Sequence, residues 1–167
     1  AYDDVPIEQA VVEALRTRSL VATTAESLTG GLVARMLTAV PGASDVFRGG
    51  WVVYSDAWKA ARLGVCEALL EEAGAVSEPV ARAMAEGALV RGRADVALSL
   101  TGYAGPGDGE APDGTPIEQG TFFVGLARPG RATEVTRHRA PHSRTIVQRR
   151  AAVEALDRLR RSLAADA

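Results

Sequence analysis

The chain has 167 residues, of which 47% are hydrophobic and 24% charged, a length that predicts one domain burying roughly 70% of its unfolded surface. No apolar run reaches the ~18 residues of a membrane span, and the start, Ala1-Tyr2-Asp3-Asp4, lacks the basic-then-apolar order of a signal peptide, so a cytoplasmic protein without membrane contact is expected. A net charge of −2 argues against nucleic acid as partner, and one cysteine with two histidines excludes an intramolecular disulfide and disfavours structural zinc.

Along the chain, Ile7, Val11 and Leu15 recur every four residues and predict a helix over about 5–18. Leu20 to Thr24 predicts a buried strand. The turn Ala25-Glu26-Ser27-Leu28-Thr29-Gly30-Gly31 leads into a helix over 32–40, stopped by Pro41-Gly42. Val46 to Tyr54 predicts a second strand broken at Gly49-Gly50, and Ser55 or Asp56 caps a helix ending near Gly64.

Ser77 with Pro79 opens another helix, with Val80, Met84 and Ala88 on one stripe. Val96 to Leu100 predicts a strand feeding the loop 101–119, which holds five glycines and three prolines. Thr121 to Ala127 and Thr133 to Arg139 predict a hairpin around Pro129-Gly130. A last helix from about Ser143 is expected to bury Val153, Leu156, Leu159 and Leu163. Together these predict a three-layer α/β/α sandwich over 1–167, with a mixed, mostly parallel sheet of about five strands.

Ligands of open α/β sheets bind beyond the carboxyl ends of the strands. Three segments are expected there: 25–31, 54–59 and 101–109. Ser27 sits on the first, and N–H groups around Thr29, Gly30 and Gly31 at a helix start favour an anion, whether phosphate or oxyanion. The plain alternative is that Ser27 or Thr29 is an ordinary N-cap and the glycines form the turn. No Gly-Lys-Ser/Thr follows, so the segment is not a P-loop.

Lysine and arginine total nineteen, and Lys59 is the only lysine. In a chain that uses arginine so consistently, the surviving lysine marks a position where a side chain able to lose its proton is needed. At the ordinary pKa of ~10.4 only about one lysine in 2,500 is neutral at pH 7, so burial or a neighbouring cation must act on it before it serves as a base. Tyr54 is placed to relay its proton. Equally, Asp56 and Lys59, three apart on a helix, suit a surface ion pair.

Thr101 and the backbone N–H groups of the glycine loop, Gly105 among them, form a candidate anion nest. Arg144, opening the last helix, suits a bidentate phosphate contact.

These motifs, with Val40-Pro41-Gly42-Ala43-Ser44, Leu63-Gly64-Val65 and Ala75-Val76-Ser77-Glu78, resemble the CinA C-terminal domain family from about Ile7 to Leu156. The resemblance implies nicotinamide-nucleotide amidase activity, the hydrolysis of nicotinamide mononucleotide to nicotinate mononucleotide and ammonia in pyridine nucleotide salvage. It implies Ser27 as nucleophile, Lys59 as base, Tyr54 assisting and Thr101 in the site. It implies no metal or cofactor, and by analogy a homo-oligomer. Larger relatives carry an N-terminal domain related to molybdopterin-binding proteins, for which a stand-alone form has no counterpart.

The sequence departs from the family's pattern at Leu28, at Asp56-Ala57-Trp58, at Tyr103 and Asp108, through 115–121, and at His142, Ser143 and Gln148. By the resemblance, these departures bear on the substrate pocket, its phosphate end especially, and leave the implied nucleophile and base in place. An amidase for another small carboxamide, or a non-catalytic nucleotide-binding module linked to competence, are the competing expectations.

Overall fold

Residues 5–166 are described by a computed structural model. The helices are α1 (Ile7–Thr17), α2 (Leu32–Thr38), α3 (Asp56–Leu63), α4 (Glu67–Ala73), α5 (Glu78–Gly92) and α6 (Arg144–Ala165). The strands are β1 (Ala22–Glu26), β2 (Phe47–Val52), β3 (Val96–Gly102), β6 (Thr121–Ala127) and β7 (Glu134–Arg139), with a two-residue pair β4 (Gly109–Glu110) and β5 (Pro116–Ile117) inside the glycine loop. The main sheet has the order β2-β1-β3-β6-β7. Its first three strands are parallel, and the β6–β7 hairpin adds antiparallel to β3. The three-layer sandwich with a mixed five-stranded sheet is therefore as expected.

Strand alternation divides the core in two. Leu98, Leu100, Val124 and Leu126 face one layer, where Val11, Leu15, Val33, Leu37, Leu156 and Leu159 meet them from α1, α2 and α6. The opposite face is lined with small residues, Ala25, Ala97 and Ala127, and α5 lies on it through Val80, Met84, Ala85 and Ala88. Small side chains on both surfaces let α5 approach closely, and Ser99 Oγ donates to the Ala81 carbonyl across the contact at 2.6 Å. Against α5 packs α3, and a Cβ on Gly87 would fall 2.1 Å from the Leu63 carbonyl oxygen. Only glycine admits α3 there.

Four elements differ from expectation. β1 begins and ends two residues later than the predicted strand and so includes Glu26, because the ladder continues through the Val53 N–H bond to the Glu26 carbonyl at 2.8 Å. Gly49-Gly50 lies within β2 instead of breaking it, and Ala22 pairs with Phe47 but Thr23 with Gly49, which bulges Arg48. The helix α4 has only seven residues and no clear apolar period, and sequence patterning missed it. Val153 is 37% exposed, because it lies about a third of a turn from the buried stripe of Ala152, Leu156, Leu159 and Leu163.

Candidate active site

The parallel strands β1, β2 and β3 end at one edge of the sheet, with Glu26 level with Val52 and Leu100. Ser27 follows directly, its N–H still bonded to the Leu100 carbonyl at 2.9 Å, and it is 8% exposed. Continued alternation from Ala25 puts Ser27 on the face covered by α3 and α5, and Glu26 on the face of α2. Thr101, at the end of β3, shares Ser27's face. Its hydroxyl donates to the Ala75 carbonyl at 2.6 Å, which ties the strand end to the segment before α5.

Lys59 reaches the same face from α3, whose start is fixed when the Ser55 hydroxyl accepts the Trp58 N–H at 3.2 Å. A helix of sequence DAWKAARL reads as a surface helix, yet Lys59 is 1% exposed and, with Leu63, forms its buried side. Its Nζ lies 3.4 Å from Asp56 Oδ1. Burial pushes the ammonium pKa below its ordinary value, and the Asp56 carboxylate pulls in the opposite direction without cancelling it. The ion pair weighed against a catalytic role thus forms, but its lysine is in the interior.

No hydrogen bond joins Lys59 to Ser27 or to Tyr54 among the described residues. Tyr54 is 66% exposed, and its hydroxyl lies 3.5 Å from Arg144 Nη1. The second Arg144 nitrogen donates to the Gly105 carbonyl. Tyr54, Arg144 and Gly105 therefore make a cluster at the rim, joining the end of β2, the start of α6 and the glycine loop. A relay from Lys59 through Tyr54 has no hydrogen-bonded path here. Gln119 closes the loop from below, accepting from the Gly107 N–H at 3.1 Å and donating to the His142 carbonyl at 3.0 Å.

The expected anion donors at Gly30 and Gly31 are corrected by the structure. The Gly30 N–H bonds the Ser27 carbonyl at 3.1 Å. The Gly31 N–H bonds Glu26 Oε2 at 3.1 Å, and that carboxylate also takes Thr29 Oγ1 at 2.6 Å, the Val33 N–H at 3.0 Å and the Ala34 N–H at 2.8 Å. A buried acid from the chain itself thus occupies the electropositive start of α2. Among the described residues, the N–H groups of Leu28 and Thr29 are the ones in this turn left without an acceptor. Gln148 Nε2 holds the turn from α6 by donating to the Leu28 carbonyl at 2.9 Å.

Glu26, Gln119 and Gln148 are not among the candidate site residues of the sequence, and Asp56 figures there only as a helix cap or a surface ion-pair partner of Lys59. An acidic residue just before a helix start is the one available signal for Glu26. A cleft of about 670 Å³ lies between β7 and α6, lined by Phe122, His138, Ile146 and Arg149 among others and by none of these four groups.

The profile of the CinA C-terminal domain matches residues 4–163. A CinA-like protein of Akkermansia muciniphila is 58% identical over 111 residues, 65% of this chain and 27% of its own length. A CinA-like protein of Anaeromyxobacter sp. is 49% identical over 92% of this chain and 36% of its own length. The chain thus spans well under half the length of these curated relatives. Among solved structures, a competence-damaged protein (CinA) superfamily protein from Klebsiella pneumoniae superposes with a TM-score of 0.89 at 34% identity, covering 95% of this chain and 96% of that one. One from Escherichia coli gives 0.85 at 34% identity over 95% and 91%.

Proposed function

This chain belongs to the CinA C-terminal domain family, and on that premise we propose that it is an amidohydrolase that releases ammonia from nicotinamide mononucleotide by a Ser-Lys mechanism. The observation that carries the reading is the single lysine, wholly buried on the inward side of α3, with its pKa lowered by that burial. A solvated lysine needs no such placement, whereas a lysine base requires it.

In the proposed reaction neutral Lys59 takes the Ser27 hydroxyl proton as the oxygen attacks the carboxamide carbon. To do so its amine must turn from Asp56 toward Ser27. The Leu28 and Thr29 N–H groups, which lack acceptors, are the donors suited to the oxyanion, replacing Gly30 and Gly31 in that role. The C–N bond of the tetrahedral intermediate breaks, Lys59 returns the proton to the departing ammonia, and water hydrolyses the acyl-enzyme. The exposed guanidinium of Arg144, steadied by Tyr54 and the Gly105 carbonyl, suits the nucleotide's phosphate.

Ammonia release from nicotinamide mononucleotide, compared between the intact chain, Ser27→Ala and Lys59→Arg, tests the reading. Both variants are expected to fold and to lose roughly 10²-fold or more of the turnover, as when a general base is removed. Wild-type turnover in Lys59→Arg would exclude the lysine base. A folded intact chain that ignores this nucleotide but cleaves other carboxamides would change the substrate, and tight nucleotide binding without ammonia release would make the domain a binding module.

A further inference from the structure

We propose that Asp56 is the positioning residue of this site: its carboxylate holds the buried Lys59 head group and sets how readily the proton leaves it. The inference rests on the Ser-Lys reading above. Lys59 is 1% exposed, and among the described residues Asp56 Oδ1 is the one polar atom within hydrogen-bond reach of its Nζ. An amine in that position has few ways to satisfy its three donors, and a single carboxylate at 3.4 Å gives it a direction and favours its charged form against the larger effect of burial.

The other charged groups around α3 are engaged elsewhere or distant. On α3 itself, Arg62 stacks over the Trp58 ring at 4.6 Å. On α5, Glu78 pairs with Arg82 at 2.9 Å, Glu86 is exposed, and Arg91 lies against Gly64 at the far end of α3. On α4, the exposed Glu67 and Glu71 line with Asp56 a cleft of about 270 Å³, and neither is within hydrogen-bond reach of Lys59. Glu26, at the end of β1, is bound by the start of α2. Asp56 is the group whose charge reaches Lys59.

Its side chain is itself 58% exposed, so the field it exerts is partly screened and is removable without opening the core. Such a residue tunes a base without being part of the packing. Keeping the proton more tightly raises the pH at which Lys59 turns into a base.

The test uses the fact that the chain has one lysine. Protein labelled with ¹³C and ¹⁵N in lysine alone gives a single side-chain signal, whose titration is followed directly with no substrate present. In Asp56→Asn the midpoint is expected to fall by about one pH unit or more, the effect of removing an opposite charge at this range. In Asp56→Glu it is expected to return toward the wild-type value. Glu67→Gln, from the same cleft, is expected to leave it unmoved.

The acidic limb of ammonia release from nicotinamide mononucleotide should move with the midpoint, about tenfold in rate per unit at low pH. An unmoved midpoint in folded Asp56→Asn, or an equal fall in Glu67→Gln, overturns the assignment even if ammonia is released. A midpoint that falls in a chain releasing no ammonia sustains the Asp56–Lys59 linkage and removes the amidase reading instead.

Discussion

An ammonium buried beside a half-exposed carboxylate is a poor stabilising device. Asp56 is screened by solvent, so its attraction offsets only part of the desolvation of Lys59, and the direction of the lysine's pKa shift records which effect wins. A side chain selected for packing at this position would be apolar. Lys59→Met is therefore expected to hold or raise stability, by about 1 kcal/mol where it raises it, while abolishing ammonia release from nicotinamide mononucleotide. Urea denaturation of the two proteins checks the first part, and a clearly lower midpoint for Lys59→Met would mean that the lysine serves to hold α3. At this scale the sequence was half legible. A lone lysine among eighteen arginines singled out a residue that the fold buries. Its burial was hidden, since α3 is mostly polar and only the seat of that helix on α5, set by Gly87, turns Lys59 inward.

The helix α2 has seven residues, begins at Gly31 with φ of 97°, and has no side-chain cap of its own. Isolated helices shorter than ~12 residues are marginal in water, so its stability has to come from outside. Glu26 provides it by accepting Thr29 Oγ1 and three backbone N–H groups with one buried carboxylate. Glu26→Ala strands those donors in the interior and is expected to lower stability by roughly 3 kcal/mol, with Glu26→Gln losing less because one acceptor oxygen remains. Denaturant midpoints for the two variants check it, and a loss below about 1 kcal/mol in Glu26→Ala would show that water replaces the carboxylate. Because the turn it anchors carries Ser27, ammonia release should fall with it. Sequence reasoning found the turn and missed its support, since capping rules look for a neighbouring Ser, Thr or Asp, whereas this cap comes from a strand up to eight residues away. The periodic α1 and β6–β7 hairpin, and α5 with its Ser77-Pro79 start, were legible for the opposite reason: their signals are local. Val153 lay one position off such a pattern, and the two-residue strands β4 and β5 are too short to have one.

At the scale of the whole molecule, ionisation couples the site to folding. At the acid end, Arg131 and Arg128 hold the Asp166 carboxyl below its ordinary value and tie the end of α6 to the β6–β7 turn. That contribution is present above the ordinary carboxyl range and disappears as pH falls through the lowered value. Lys59 acts with the same sign of slope, at the other end of the pH scale. In the unfolded chain it keeps its proton up to about its ordinary value of 10.5, while in the fold it releases the proton at a lower pH. Between those two values the unfolded state binds more protons, so stability rises with pH across that window. Below the folded midpoint both states are protonated and the full penalty of burying the ammonium persists. Many other groups titrate as well, but they are common to the wild type and Lys59→Met, so the difference between the two isolates this one. The stability deficit of the wild type relative to Lys59→Met should be widest at neutral pH and below, and should close progressively as pH is raised toward 10.5. Urea midpoints for both proteins at several pH values from neutral upward measure that difference. A difference that stays constant with pH would mean that Lys59 keeps its proton in the fold as firmly as in the unfolded chain, and a lysine so held cannot serve as the base for Ser27.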